Sequence, residues 1–155
     1  MHKFFKGFII DLIITQVTDF FYQFKNSVVE TDEIVTEHQE AIKEYSTVLK
    51  EENIHKEYEE NYLTILGYAH RLENINDRIF YTFQEAIYAI DLAKQMKDDN
   101  AVILNSIVYI LVLDNFVDEY FGKKLDEHTK QLALKTYEEI EKRQAKESQK
   151  YHIYQ

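Results

Sequence analysis

Apolar residues recur every three or four positions along nearly the whole chain, which is the spacing of one face of an α-helix. The interruptions fall at Asn, Asp and Gly, which favour helix caps and turns. Asn-Gly and Asp-Gly, the dipeptides typical of β-hairpins, do not occur. The sequence therefore predicts one all-α domain over residues 1–141, a compact bundle of about six antiparallel helices. Residues 142–155 are predicted to form a polar, partly frayed tail.

Turn and cap residues set the expected helix boundaries. The first helix runs from His2 to Lys25, and a capping box formed by Ser27 and Glu30 starts the second. Asp77 is expected to cap the fourth helix, and Gly122 should provide the left-handed C-cap of the fifth. Near Asn53 no Gly or Pro forces a break. The second and third helices could therefore be one kinked rod.

Residues 101–113 contain almost no polar side chain, so the fifth helix is expected at the centre of the bundle. A weak period also runs through the chain, since Glu40-Ala41-Ile42 recurs as Glu85-Ala86-Ile87. Three stacked helical hairpins would produce such a period. They are the alternative to a plain bundle.

Residues 62–97 carry Leu66-Gly67 in one predicted helix and Ala86 and Ala93 in the next. This segment resembles a tetratricopeptide unit, although the terminal proline of that motif is missing. The resemblance implies a peptide-binding regulator as one alternative function.

Composition excludes several classes of protein. The 155 residues include no Cys, no Pro and three Gly, so disulfides, thiolate metal sites, cysteine catalysis and glycine-rich phosphate loops cannot be built. With 45% apolar residues the chain can still form a core. The formal net charge of −10 disfavours generic binding of nucleic acids.

The N-terminal apolar run is interrupted by Asp11 and Asp19, which makes it a poor transmembrane span, and no small-residue cleavage site follows it. A cytoplasmic protein is therefore expected. Membrane contact through residues 3–24 is the less favoured alternative.

Few groups could carry catalysis. Glu52 and His55 form a single Glu-x-x-His pair, whereas carboxylate di-iron bundles use two. The pairs Glu37/Glu40 and Glu57/Glu60 resemble the carboxylate pairs with which helical nucleotide pyrophosphohydrolases hold magnesium. Such spacings arise easily by chance among 28 acidic residues, and no nucleophile motif is present. No cofactor is predicted, and a metal-dependent helical hydrolase is kept as an alternative to a non-enzymatic protein.

The distribution of charge is the most informative feature. Residues 1–26 carry +1, whereas residues 27–60 carry −8. Within this segment five glutamates repeat every three or four positions and should form one ridge of the second helix: Glu30, Glu33, Glu37, Glu40 and Glu44. Beside them runs an apolar row that should offer a partner a hydrophobic edge: Ile34, His38, Ala41 and Tyr45. The ridge is either a solvated face of the helix or a docking surface for a protein with a basic surface, and our functional hypothesis takes it as the docking surface. We accordingly expect a small acidic helical regulator, inhibitor or immunity-type protein.

The first helix carries more apolar residues than one core-facing stripe needs. We predict a homodimer in which two copies of this helix bury the excess, through Phe4, Phe5, Phe8, Ile9, Leu12 and Ile13. One additional buried Phe or Ile per subunit would contribute about 1.5–3 kcal/mol before the entropy of association is subtracted. Light scattering at micromolar concentration measures the mass directly. A monomer mass alone would contradict the prediction.

Overall fold

The computed structural model describes residues 2–26, 28–51 and 56–153, with side chains for 7–26, 28–45 and 58–149. Over these residues the chain is 88% helical and has no strand, which confirms the predicted all-α bundle. The described residues form six helices: α1 His2–Asn26, α2 Thr31–Glu51, α3 Lys56–His70, α4 Ile75–Gln95, α5 Asp99–Tyr120 and α6 Glu127–Ile153.

Helix α5 lies at the centre and packs against α1, α2, α3 and α4. Its residues Val112, Leu113 and Phe116 have no exposed surface, as expected for an apolar helix surrounded by others. By length and composition α5 could also span a membrane, but half of that apolar stretch is buried inside the bundle. The predicted central position of the fifth helix is confirmed.

Helix α1 packs against α2, α4 and α5, and its inner face is buried in the single chain. Ile10 and Ile13 are both 1% exposed. An apolar face of this kind turns towards the core because burial removes its surface from water. The first helix is thus a structural wall of the bundle, and only its outer face is left for contacts with other molecules.

Helix α6 packs against α3 rather than against α5. The two backbones approach so closely that a Cβ atom placed on Gly67 would lie 2.4 Å from the carbonyl oxygen of Ala133 and 2.9 Å from Cβ of Tyr137. Gly67 is therefore required by helix packing and not by a turn. The alternative of three stacked consecutive hairpins fails for its third pair, because α6 crosses back to α3.

Three expected boundaries shift or cannot be located. Asn74, and not Asp77, is the N-cap of α4, since its side-chain oxygen accepts a 2.7 Å hydrogen bond from the backbone N–H of Asn76. Helix α2 begins only at Thr31, where the carbonyl of Glu30 accepts the first helical bonds. Ser27 lies outside the described residues, and so does the boundary between α2 and α3, at residues 52–55.

Two helix ends close with the same pattern of crossed hydrogen bonds. At the end of α4 the N–H of Asp98 donates to Ala93 O (3.1 Å), and at the end of α5 the N–H of Lys123 donates to Asp118 O (2.7 Å). This Schellman motif places the preceding residue in the left-handed region. That residue is Gly122 after α5, with φ 87°, as predicted, but Lys97 after α4, with φ 57°.

Helix α6 continues to Ile153, although a frayed tail was expected from residue 142 onward. The side chains of residues 141–149 are exposed. Glu138 and Glu139 stand four residues before Lys142 and Arg143, an order that favours an exposed helix. Good helix formers and the absence of Gly and Pro support the same outcome.

Replacing Gly67 with Ala should weaken the contact between α3 and α6. The new methyl group would meet the backbone carbonyl of Ala133, and overpacking of this kind costs about 1–3 kcal/mol. The matched control is Gly7→Ala in α1, where a Cβ meets nothing within 4 Å and the higher helix propensity of Ala should add about 0.5–1 kcal/mol. Urea denaturation measures the free energy of unfolding of both variants. Equal changes in this free energy would contradict the close approach of α3 and α6 at Gly67.

The left-handed residues after α4 and α5 should respond in opposite directions to substitution. Gly122→Ala places a Cβ at positive φ and should lower the free energy of unfolding by about 1 kcal/mol. Lys97→Gly removes such a Cβ and should raise it, by less, because glycine also gains entropy in the unfolded chain. Urea denaturation of the two variants tests the sign. A loss of stability in both would contradict the role assigned to Lys97.

Candidate functional site

A surface groove of about 400 Å3 runs between α1 and α2. It is lined by four acidic side chains, two glutamines and two buried apolar residues: Asp19, Glu37, Glu40, Glu44, Gln16, Gln23, Phe20 and Ala41. We call this feature the acidic groove. Its α1 residues recur at positions 16, 19, 20 and 23, and its α2 residues at 37, 40, 41 and 44, the spacing that places side chains on one helix face.

The acidic ridge predicted from the sequence divides between two places. All five of its glutamates are exposed. Glu37, Glu40 and Glu44 line the acidic groove, whereas Glu30 and Glu33 lie at the beginning of α2, outside its lining. The sequence analysis missed the contribution of α1, which adds Asp19 opposite the glutamates. The sequence signal for this contribution was the helical spacing of the polar residues Gln16, Asp19 and Gln23.

The electrostatics of the groove are one-sided. Four carboxylate side chains line it, and no Lys or Arg is among the described residues that do so. The closely spaced glutamates repel one another by a few tenths of a kcal/mol per pair, so they do not stabilise the helix that carries them. A cation entering the groove would relieve this repulsion. The arrangement therefore favours a positively charged ligand.

Gln16 carries an unused hydrogen-bond acceptor beside the groove. Its Oε1 atom is buried and has no donor among the described residues. A buried acceptor without a donor costs roughly 1–3 kcal/mol. Because this oxygen is buried, it is not part of the surface that the groove presents to a ligand.

The hydrophobic edge expected beside the ridge does not exist at the surface. Ile34 and His38 are 1% exposed and Ala41 is 7% exposed, because this row faces the core. Tyr45 is half-buried against the same core. The expectation of an apolar docking edge was wrong, since the row that lies beside the glutamates in sequence is already covered by α1 and the rest of the bundle.

His38 lies directly behind the groove, in an aromatic surrounding. Its ring meets Phe20 of α1 at 5.3 Å and Phe83 of α4 at 5.5 Å between centroids, both in edge-to-face geometry. Neither ring nitrogen has a hydrogen-bond partner among the described residues. Burial lowers the pKa of His38 from 6.5 to about 3, because the charged form would lose its hydration. His38 is therefore neutral near pH 7.

A second polar cluster lies where α3, α4 and α5 meet. Arg78 donates from Nη1 to Glu119 Oε1 at 2.5 Å and from Nε to the carbonyl of Leu72 at 2.9 Å. The ring of His70 packs edge-on against Phe116 at 5.2 Å. Burial, together with the positive charge of Arg78, lowers the pKa of His70. These contacts tie the α3–α4 connection to α5, which is a structural role.

Tyrosine hydroxyls make two further contacts between helices. Asn115 donates to the hydroxyl of Tyr62, which joins α5 to α3, and the hydroxyl of Tyr120 donates to Asp32, which joins α5 to α2. The bond to the Asp32 carboxylate raises the pKa of Tyr120 to about 12, because a phenolate could no longer donate this hydrogen bond and would lie beside a negative charge. The second contact lies in the first turn of α2.

The residues predicted for a dimer interface do not share one environment. Phe8 is 61% exposed and Leu12 is half-buried, whereas Ile9 and Ile13 are buried within the single chain at 7% and 1%. The side chains of Phe4 and Phe5 lie outside the described residues. Ile9 and Ile13 must therefore be removed from the predicted interface, because the core already covers them.

The residues considered for metal binding lie only partly within the described part of the chain. No cluster of three or more His, Asp or Glu that could hold a metal is found in the described part of the chain. Glu37 and Glu40 belong to the acidic groove, and the side chain of Glu57 lies outside the described residues, as do Glu52 and His55.

In comparisons with models of known protein families, with curated proteins and with solved structures, the chain matches nothing.

Proposed function

We propose that this protein is a non-enzymatic interaction protein, a small acidic regulator or inhibitor of immunity type that binds a basic protein partner in the acidic groove. The observation that carries the proposal is the convergence of carboxylates from two helices on one groove that no described Lys or Arg lines. The proposal includes a cytoplasmic location and a homodimeric state.

The geometry suits a short basic segment. The glutamates of the groove extend from Glu37 to Glu44, a rise of about 10 Å along α2. Two or three cations spaced by one helical turn on a partner would match this length. Because Phe20 and Ala41 form only a small buried floor, recognition depends on charge and hydrogen bonds more than on apolar area.

A triple variant of the groove, Glu37→Gln, Glu40→Gln and Glu44→Gln, tests the proposal. Binding of a helical peptide that carries lysines four residues apart should weaken roughly tenfold, since exposed ion pairs contribute about 0.2–1 kcal/mol each. The salt dependence should also decrease, because exposed charge is screened over about 8–10 Å. The melting temperature should stay equal or rise slightly, as repulsion within α2 is relieved. Fluorescence anisotropy at two salt concentrations gives the affinity.

The matched control removes the same number of charges from the exposed face of α6, through Glu138→Gln, Glu139→Gln and Glu141→Gln. This variant should bind the peptide as the unchanged protein does. Equal losses in both triple variants would show that only net charge matters, and the proposal would fail. Magnesium-dependent release of pyrophosphate from nucleotides, abolished by Glu37→Gln, would establish the hydrolase alternative instead.

A further inference from the structure

His38 is a titratable residue whose side chain is buried between helices, so a change in its charge would affect the packing of α2. Its side chain is 1% exposed, its two ring nitrogens have no partner among the described residues, and its contacts Phe20 and Phe83 belong to α1 and α4. An apolar residue would fill this position without the loss of hydrogen bonds to water. No hydrogen bond within the described part of the chain requires a histidine at this position.

We infer that His38 is a proton-sensitive switch: the neutral ring lets α2 pack against α1 and α5, with Phe83 of α4 against the ring, whereas the protonated ring favours a state in which α2 has moved away. A charged imidazolium is disfavoured in this aromatic surrounding, because it loses its hydration and neither nitrogen has an acceptor in the part of the chain that the structure describes. It can regain hydration only when α2 separates from Phe20 and Phe83. Acidification therefore raises the population of the state in which α2 has separated from α1.

The charged groups around His38 do not counteract this effect. The carboxylates nearest in sequence to its contacts are those of Asp19 on α1, Glu37 on α2 and Glu85 on α4. Burial is the one cause of the lowered pKa of His38, so neither these carboxylates nor a charged group of α5 stabilises the ring. The closed state binds fewer protons than the open one. The stability that the closed state gains from a neutral His38 is therefore fully present above pH 6.5 and is lost progressively as the pH falls below that value.

The acidic groove follows the movement of α2, because Phe20 lines the groove and also contacts the ring of His38. Opening would separate Asp19 from the glutamates of α2. The consequence for a partner rests on the function proposed above: a basic segment would hold α2 closed, and acid would favour its release. The opening itself does not depend on any partner.

Native-state hydrogen exchange tests the switch. For a group with a pKa of 6.5 when open and about 3 when closed, the opening equilibrium should rise about tenfold between pH 7.5 and pH 5.5. Exchange of the backbone amides of residues 34–42, corrected for the intrinsic rate at each pH, reports this equilibrium. The tenfold rise of the opening equilibrium should be absent in His38→Leu. His38→Met is a second neutral replacement that keeps the buried site filled.

The matched control is His128→Leu, which removes an exposed histidine of α6 and should leave the rise intact. His70 faces Arg78, Glu119 and Lys130 and also resists protonation, so it adds to exchange through complete unfolding, but this contribution is common to wild type and His38→Leu. A rise that persists in both His38 variants, or exchange independent of pH in the wild-type protein, would overturn the switch.

The lysine peptide separates the switch from the proposed function. At ten times its dissociation constant, the peptide should reduce opening of α2 about tenfold at pH 7.5 if it binds only the closed groove. Opening that depends on His38 in a protein that does not bind the peptide supports the switch and contradicts the proposed function. Peptide binding with opening that is independent of pH supports the function and contradicts the switch.

Discussion

Burial of α5 is the constraint on which the rest of the structure depends. This helix is apolar around most of its circumference, and residues 106–110 are all buried. A single neighbour could cover only one stripe of such a helix, so α1, α2, α3 and α4 all pack against it. Helix α6 is left to cover α3. The acidic groove is a product of this arrangement, because α1 and α2 must lie side by side with their polar edges outward.

The same constraint explains which parts of the fold the sequence could predict. A period of three to four residues determines which face of a helix is buried, and it placed α5 at the centre without knowledge of its neighbours. The boundaries depend on finer choices. Asn74 and Asp77 are both good caps, and the extended backbone of Asn74, with φ −105° and ψ 134°, decides between them.

Pairing between helices could not be predicted, because it depends on contacts between residues distant in sequence. Gly67 is one of three glycines, and nothing near it in the chain indicates that the backbone of Ala133 lies against it. The acidic groove is a similar case. The ridge on α2 was visible as a run of glutamates, but the polar positions of α1 look like ordinary solvent-facing residues until the two helices are placed together. Only then do Asp19 and Gln16 become part of one site.

Helix α2 combines opposite electrostatic demands, because its outer face collects carboxylates and its inner face carries a histidine that must stay neutral. An exposed carboxylate at 10 Å in a water-like dielectric attracts a cation by only about 0.4 kcal/mol, and salt weakens this further. Lowering the pKa of His38 to about 3 corresponds to about 4–5 kcal/mol against the charged form. The free-energy cost of burying a charged His38 is therefore larger than the attraction that the carboxylates of the groove could exert on that charge. While α2 is packed, the carboxylates on its outer face and His38 on its inner face therefore act independently. Separation of α2 from α1 would couple them, because the same movement hydrates the His38 ring and moves the glutamates of α2 away from Asp19.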